Sequence, residues 1–264
     1  MAFTLEIQNK DGVVLGAARG EERVELAYAP AYEEGDKIIL RTTDPGCFAM
    51  LKLDDAMGEA FVYVNTEELV YEIPFNEKRI SYSPRAFVLD RHVLTVRKAT
   101  EDEISIRKNL ALNVYDQHGD PGLFPHAHAN VETRGEAVFA ARNAIDGCCC
   151  NLGHGAWPYE SWGINRRDDA EIILEFGREV EIDSMVLVTR ADFPHDNYWM
   201  EATFTFSDGT TLTHSMTKSI APHLITLPEK KKVTWIKLNQ LIKDPGQPSP
   251  FPALSQWEVY GKEA

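Results

Sequence analysis

Residues 170–189 read AEIILEFGREVEIDSMVLVT. Two runs stand out, 170–176 and 182–189. Both are rich in Ile, Leu, Val, Met and Phe, and both have the length of a strand rather than a helix. The same grammar recurs outward in both directions. Downstream, 202–206, 210–214, 223–227, 233–238 and 256–260 read as strands. Ser207-Asp208-Gly209 is a tight-turn signal between two of them. Residues 244–252, DPGQPSPFP, are too rich in proline for a regular element. Upstream, 3–8, 13–16, 24–28, 37–42, 48–53, 60–64 and 92–98 are strand-like. Residues 103–115 read as a strand whose first turn could be helical. The best helix candidate is 137–145, AVFAARNAI, closed by Asp146-Gly147.

Many short strands, few helices and turns about every ten residues point to an all-β protein built of sandwiches. A chain of 264 residues is long for one such unit. Two antiparallel β-sandwich domains are expected, 1–117 and 118–264, with the boundary in the Gly/Pro-rich stretch 117–125, QHGDPGLFP.

The composition is that of a globular chain, 44% apolar and 26% charged. A formal net charge of -14 disfavours nucleic acid and anionic membrane as partners. No stretch is long and apolar enough to cross a bilayer. The opening residues MAFTLEIQNKDG lack the basic start and apolar run of a secretory signal, so a cytoplasmic location is expected. Cys148, Cys149 and Cys150 are consecutive. Adjacent cysteines pair poorly with one another, which reads as reduced thiols. Zinc held by these thiols with His154 lacks the usual ligand spacing.

Three stretches carry an unusual share of polar and aromatic side chains. They are 190–199 (RADFPHDNYW), 153–163 (GHGAWPYESWG) and 126–134 (HAHANVETR). A charged, aromatic loop stiffened by Pro194 on a β scaffold suits a binding surface. The expectation is that the three converge on one site. Trp157, Trp162 and Trp199 would offer ring faces. His154, Arg190, Asp192, His195, Asp196, His126, Glu132 and Arg134 would offer donors and acceptors. Core packing is the competing reading for each tryptophan. It is strongest for Trp162, and Trp157, before Pro158, is the one expected at the surface. His126, His128 and Glu132 also form HxHxxxE, a fragment of a cupin-type metal pattern, although the second cupin motif is absent. The plain alternative is a polar linker between the halves.

The order of motifs in the second half resembles the discoidin, or coagulation factor type C (F5/8 type C), family. NAIDG at 143–147 is followed by SWG at 161–163. Then come AEIILEFGREVEIDSMVL at 170–187 and EVYG at 258–261. The resemblance covers about residues 130–264. It implies a galactose-binding-like jelly roll, as in carbohydrate-binding modules, with ligand bound by loops at one end. It further implies a structural calcium near the DG turn, with Asp146 and Glu258 matching its acidic positions. The loops here are richer in His, Asp and Arg than such a module needs.

The leading expectation is non-catalytic binding of a saccharide or polyol by loops 151–163 and 190–199. Replacing Trp157 or Arg190 by Ala should then abolish binding without lowering the melting temperature. The alternative is an intracellular metal-dependent enzyme of sugar metabolism, an isomerase or lyase. It would use His126, His128, Glu132, His154 and His195 as ligands or acid–base groups. A third reading is an interaction module for a protein partner, and a homo-oligomer is left open.

Overall fold

The computed structural model describes residues 1–119, 122–150, 155–192 and 197–264. The architecture is all-β with antiparallel pairing throughout, as the sequence predicts. The first half holds β1 (Ala2–Gln8), β2 (Val14–Glu21), β3 (Arg23–Tyr28), β4 (Lys37–Thr42), β5 (Cys47–Lys52), β6 (Ala60–Val64), β7 (Glu68–Glu72) and β8 (His92–Lys98). The order β2-β1-β4-β7 makes one sheet, and β6-β5-β8-β3 makes the other. Strict alternation in β1, β3 and β5 sends every second side chain inward. Phe3, Leu5, Ile7 and Leu40 thereby meet Leu26, Ala49, Leu51 and Val96 in one core. The chain turns from one sheet to the other between β2 and β3. A Cβ on Gly20 at that corner would lie 2.3 Å from the carbonyl oxygen of Arg23.

The connection between the halves is not a free linker. It begins with the short helix α1 (Glu101–Ser105), capped by Thr100 and Glu103. The strand expected over 103–115 therefore reduces to β9 (Lys108–Asn109). Leu110 and Ala111 pack in the second core, whereas Tyr115 and Leu123 pack in the first. Strand β10 (Leu123–Phe124) extends the five-stranded sheet beside β6, and β11 (His126–Ala129) joins the second half.

The second half contains β12 (Trp162–Gly163), β13 (Ile172–Thr189), β14 (Trp199–Phe206), β15 (Thr211–Ser215), β16 (His223–Lys243) and β17 (Ala253–Glu263). The two strands expected in 170–189 are one strand, β13, bent at Gly177. The backbone there has φ +69°, and a Cβ would lie 2.4 Å from the Phe124 ring. Likewise 223–227 and 233–238 belong to a single β16 with a register shift. Pairing divides at these bends. One layer runs β11, the start of β13, the end of β16, β14 and β15. The other runs β12, β17, the end of β13 and the start of β16. Between them lie Ile172, Leu174, Ile236, Met185 and Val259, and the Phe204 and Trp257 rings meet at 6.0 Å across the sandwich. The helix expected over 137–145 is instead two 3-10 turns, Ala137–Phe139 and Ala141–Ala144, broken at an extended Ala140. Asn143 fixes the break by donating to the carbonyls of Ala137 and Ser161.

Candidate functional site: the loop end of the C-terminal sandwich

The end of the sandwich near the DG turn gathers residues from three connections. Residues 155–161 fold as a tight turn, in which the Tyr159 amide donates to the carbonyl of Ala156 at 2.9 Å. Arg190 leaves the end of β13, its amide held by the Ala253 carbonyl at 2.9 Å. Its guanidinium lies 3.6 Å from the centroid of the Tyr159 ring. Nη1 donates to the Tyr159 carbonyl at 3.2 Å and to Ser161 Oγ at 3.3 Å. The Tyr159 hydroxyl donates to Asp192 Oδ1. Burial first, and then the Asp192 carboxylate, push the Tyr159 phenol up to about 12. The phenol therefore remains a donor across the neutral range.

Behind this layer stand two acids. Glu160 is 2% exposed, and its carboxyl lies within hydrogen-bonding reach of that of Asp146. Asp146 Oδ1 accepts the Cys148 amide at 2.8 Å. Burial raises the pKa of both, and the Asp146 charge raises Glu160 further. Two carboxyls in one low-dielectric site cannot both ionise cheaply. Arg142 lies on the far side, over the Tyr82 ring at 4.4 Å, and holds Asp146 back by its charge. Its Nε donates to the Asp116 carbonyl at 2.8 Å.

Trp157 is the exposed ring, with 39% of its surface accessible. Trp162 and Trp199 do not share that role. Both are fully buried, their ring centroids 6.3 Å apart, and Trp162 Nε1 donates to the Val131 carbonyl at 2.9 Å. A sugar cannot reach either face, because each begins a strand whose alternation points it into the core. Arg190 is also buried, 1% exposed, so its side chain is a structural tie for the 159–161 turn. The expectation that its loss would spare stability is corrected accordingly.

The 126–134 stretch does not join the site. His126 is buried, with Nδ1 2.7 Å from Asp116 Oδ1, and Asp116 Oδ2 accepts the Ala127 amide. His128 is exposed and lies 3.7 Å from Glu175. Glu132 Oε1 accepts the Ala141 amide at 2.7 Å, with His118 3.3 Å from its other oxygen. Arg134 is exposed and pairs with Glu136. HxHxxxE thus spends each of its members on a different partner. Among the described residues no three or more His, Cys, Asp or Glu side chains are arranged to hold a metal. His154, His195 and Asp196 lie outside the described residues.

For calcium at the DG turn the donor set is thin. One Asp146 oxygen is taken by a backbone amide, and the guanidinium of Arg142 supplies positive charge beside it. Glu258 accepts the Tyr260 hydroxyl at 2.9 Å. The two side chains named by the resemblance, Asp146 and Glu258, thus each spend one oxygen on a group of this chain. The cysteines are free thiols, as expected. Burial and the neighbouring Glu160 push Cys148 up to about 12, which leaves it a poor nucleophile.

Sequence reasoning passed over Tyr159, Glu160, Arg142 and Tyr82. The first two sit inside the quoted 153–163 stretch. Arg142 immediately precedes the NAIDG motif, where a charged side chain between apolar neighbours was the available signal.

No family model and no curated protein matches this chain. Several solved structures are similar to it. Chitosan-binding module 1 from a chitosanase/glucanase of Paenibacillus sp. IK-5 is 20% identical, over 58% of this chain and 99% of that one, with a TM-score of 0.40. The family 32 CBM of C. perfringens NanJ, in complex with galactose, is 17% identical over 51% of this chain and 91% of that one, with a TM-score of 0.40. The lectin domain of lectinolysin, complexed with Lewis B antigen, is 17% identical over 60% of this chain and 98% of that one, with a TM-score of 0.43.

Proposed function

We propose that the protein binds a neutral saccharide at the loop end of its C-terminal sandwich, and that it does so without catalysis. The observation that carries this reading is the exposed Trp157 ring in the same turn as Tyr159, which is tied to Arg190 and Asp192. A pyranose presents one apolar C–H face and a rim of hydroxyls, so it needs a flat ring and fixed planar hydrogen-bonding groups. Trp157 supplies the ring. Asp192, half-buried at the rim, supplies a carboxylate whose position the buried Tyr159 and Arg190 fix. Preorganisation of this kind lowers the ordering cost of binding. The negative net charge disfavours acidic glycans.

A hydrolytic or metal-dependent reading has less support. Glu160 is buried, Asp146 is half-buried with the Arg142 charge acting on it, and the histidines of 126–134 are engaged elsewhere. Isothermal titration with galactose, and a glycan array of neutral and acidic sugars, test the proposal. Binding confined to neutral glycans and lost in Trp157→Ala is expected. Equal binding by wild type and variant would refute it. A calcium near Asp146 is a separate proposal of the resemblance. It predicts a melting temperature that rises with added calcium and falls with chelator.

A further inference from the structure

We infer that the saccharide site continues along the seam between the two halves, where the N-terminal half supplies a second subsite for a longer chain. This rests on the saccharide reading above. Two cavities, of about 180 and 140 Å³, lie end to end on that seam. Ser81, Tyr82 and Arg142 line both, so the Tyr82–Arg142 stack is the divide between two lobes of one furrow. Together the lobes reach the low end of small-molecule sites, roughly 300–1,000 Å³.

The furrow is built rather than accidental. The 3-10 turn Asn76–Ser81 and its neighbours are tied to the second half at two points. The Trp157 amide donates to the Ile80 carbonyl at 2.9 Å, and the Ala137 amide donates to Glu77 Oε1 at 2.7 Å. The divide is equally fixed, because the Arg142 guanidinium bonds the Asp116 carbonyl, the Val114 carbonyl and Asn143 Oδ1. The inner lobe carries Trp157 and Asp146, so it opens directly from the proposed sugar platform. The outer lobe carries Glu72 and Lys78, both exposed. Neither side chain makes a hydrogen bond or ion pair among the described residues.

The chemistry selects the ligand. A ring face at one end, a cation–π divide, then one free carboxylate and one free ammonium suit a run of hydroxyl-bearing rings. A neutral oligosaccharide of two or more units fits, with its first ring on Trp157 and the following one beyond Tyr82. Lys78 and Glu72 would donate to and accept from its hydroxyls.

The test measures affinity against chain length, using a panel of neutral oligosaccharides of one to six sugar units in isothermal titration. Wild type should gain about ten-fold or more in affinity from one unit to three. Lys78→Ala with Glu72→Ala should lose that gain while keeping the monosaccharide affinity. Both positions are exposed, so the double variant is expected to fold, which its melting temperature verifies. Affinity independent of length, or a gain that survives in the variant, overturns the inference and leaves the platform at Trp157 standing. No binding to any member of the panel removes both.

Discussion

Trp162 and Trp157 sit five residues apart in a stretch of shared character, yet they do opposite things. Trp162 opens a short strand paired to Leu254 and goes fully into the core, against Trp199. Trp157 lies in a turn, precedes Pro158, and remains 39% exposed with its backbone pinned to Ile80. What separates them is the local backbone, not the residue type. A strand start commits a large ring to one face of a sheet, while a turn leaves it at the rim.

The comparison breaks first on stability. Trp162→Ala removes a fully buried indole and its bond to Val131, and should cost about 3–5 kcal/mol. The denaturation midpoint should fall sharply with little change in slope. Arg190→Ala comes next. It strips the 159–161 turn of a buried donor to two oxygens, for an expected loss of about 2–3 kcal/mol. Arg190→Lys should recover only part of this, because an ammonium cannot lie flat on the Tyr159 ring.

The acid pair gives a smaller, pH-dependent effect. Glu160 is raised in the folded state above its usual value of 4.5, and Asp146 above 3.8. The folded protein therefore holds protons that the unfolded chain has released. Stability is fullest below pH 4 as far as this pair is concerned, and it falls as pH rises through the raised values. Glu160→Gln mimics the protonated acid. It should flatten that decline and add about 1–2 kcal/mol at pH 8 relative to wild type, and little at pH 4. Thermal melts at the two pH values decide the point. If the variant loses as much stability as wild type between them, Glu160 is ionised in the fold and the account of the pair is wrong.

Much of the fold was legible from period and punctuation. Alternation in 3–8, 24–28 and 48–53 placed strands that the structure contains. The merging of 170–176 with 182–189 was not legible. Gly177 looks like a break in sequence, but here it is the hinge by which one strand serves two layers, a role set by Phe124 far away in the chain. The 137–145 segment has helical composition, yet the Asn143 side chain captures the Ala137 carbonyl, which a helix would use internally. Within the site, Trp157 and Asp192 were readable as surface groups. His126 and Arg190 were not readable as structural, since their partners Asp116 and Tyr159 are brought close by folding. Polar residues clustered in sequence advertise a binding loop and a buried network in the same way.

The most direct measurement is titration of wild type and Trp157→Ala with galactose and the neutral glycans of the array. Melting curves of the same two samples should accompany it. The account predicts binding by wild type, at least about ten-fold weaker binding by the variant, and stabilities within about 0.5 kcal/mol of each other. A variant that binds as wild type does, or one that loses binding only because it unfolds, would contradict the assignment of this ring as the sugar platform.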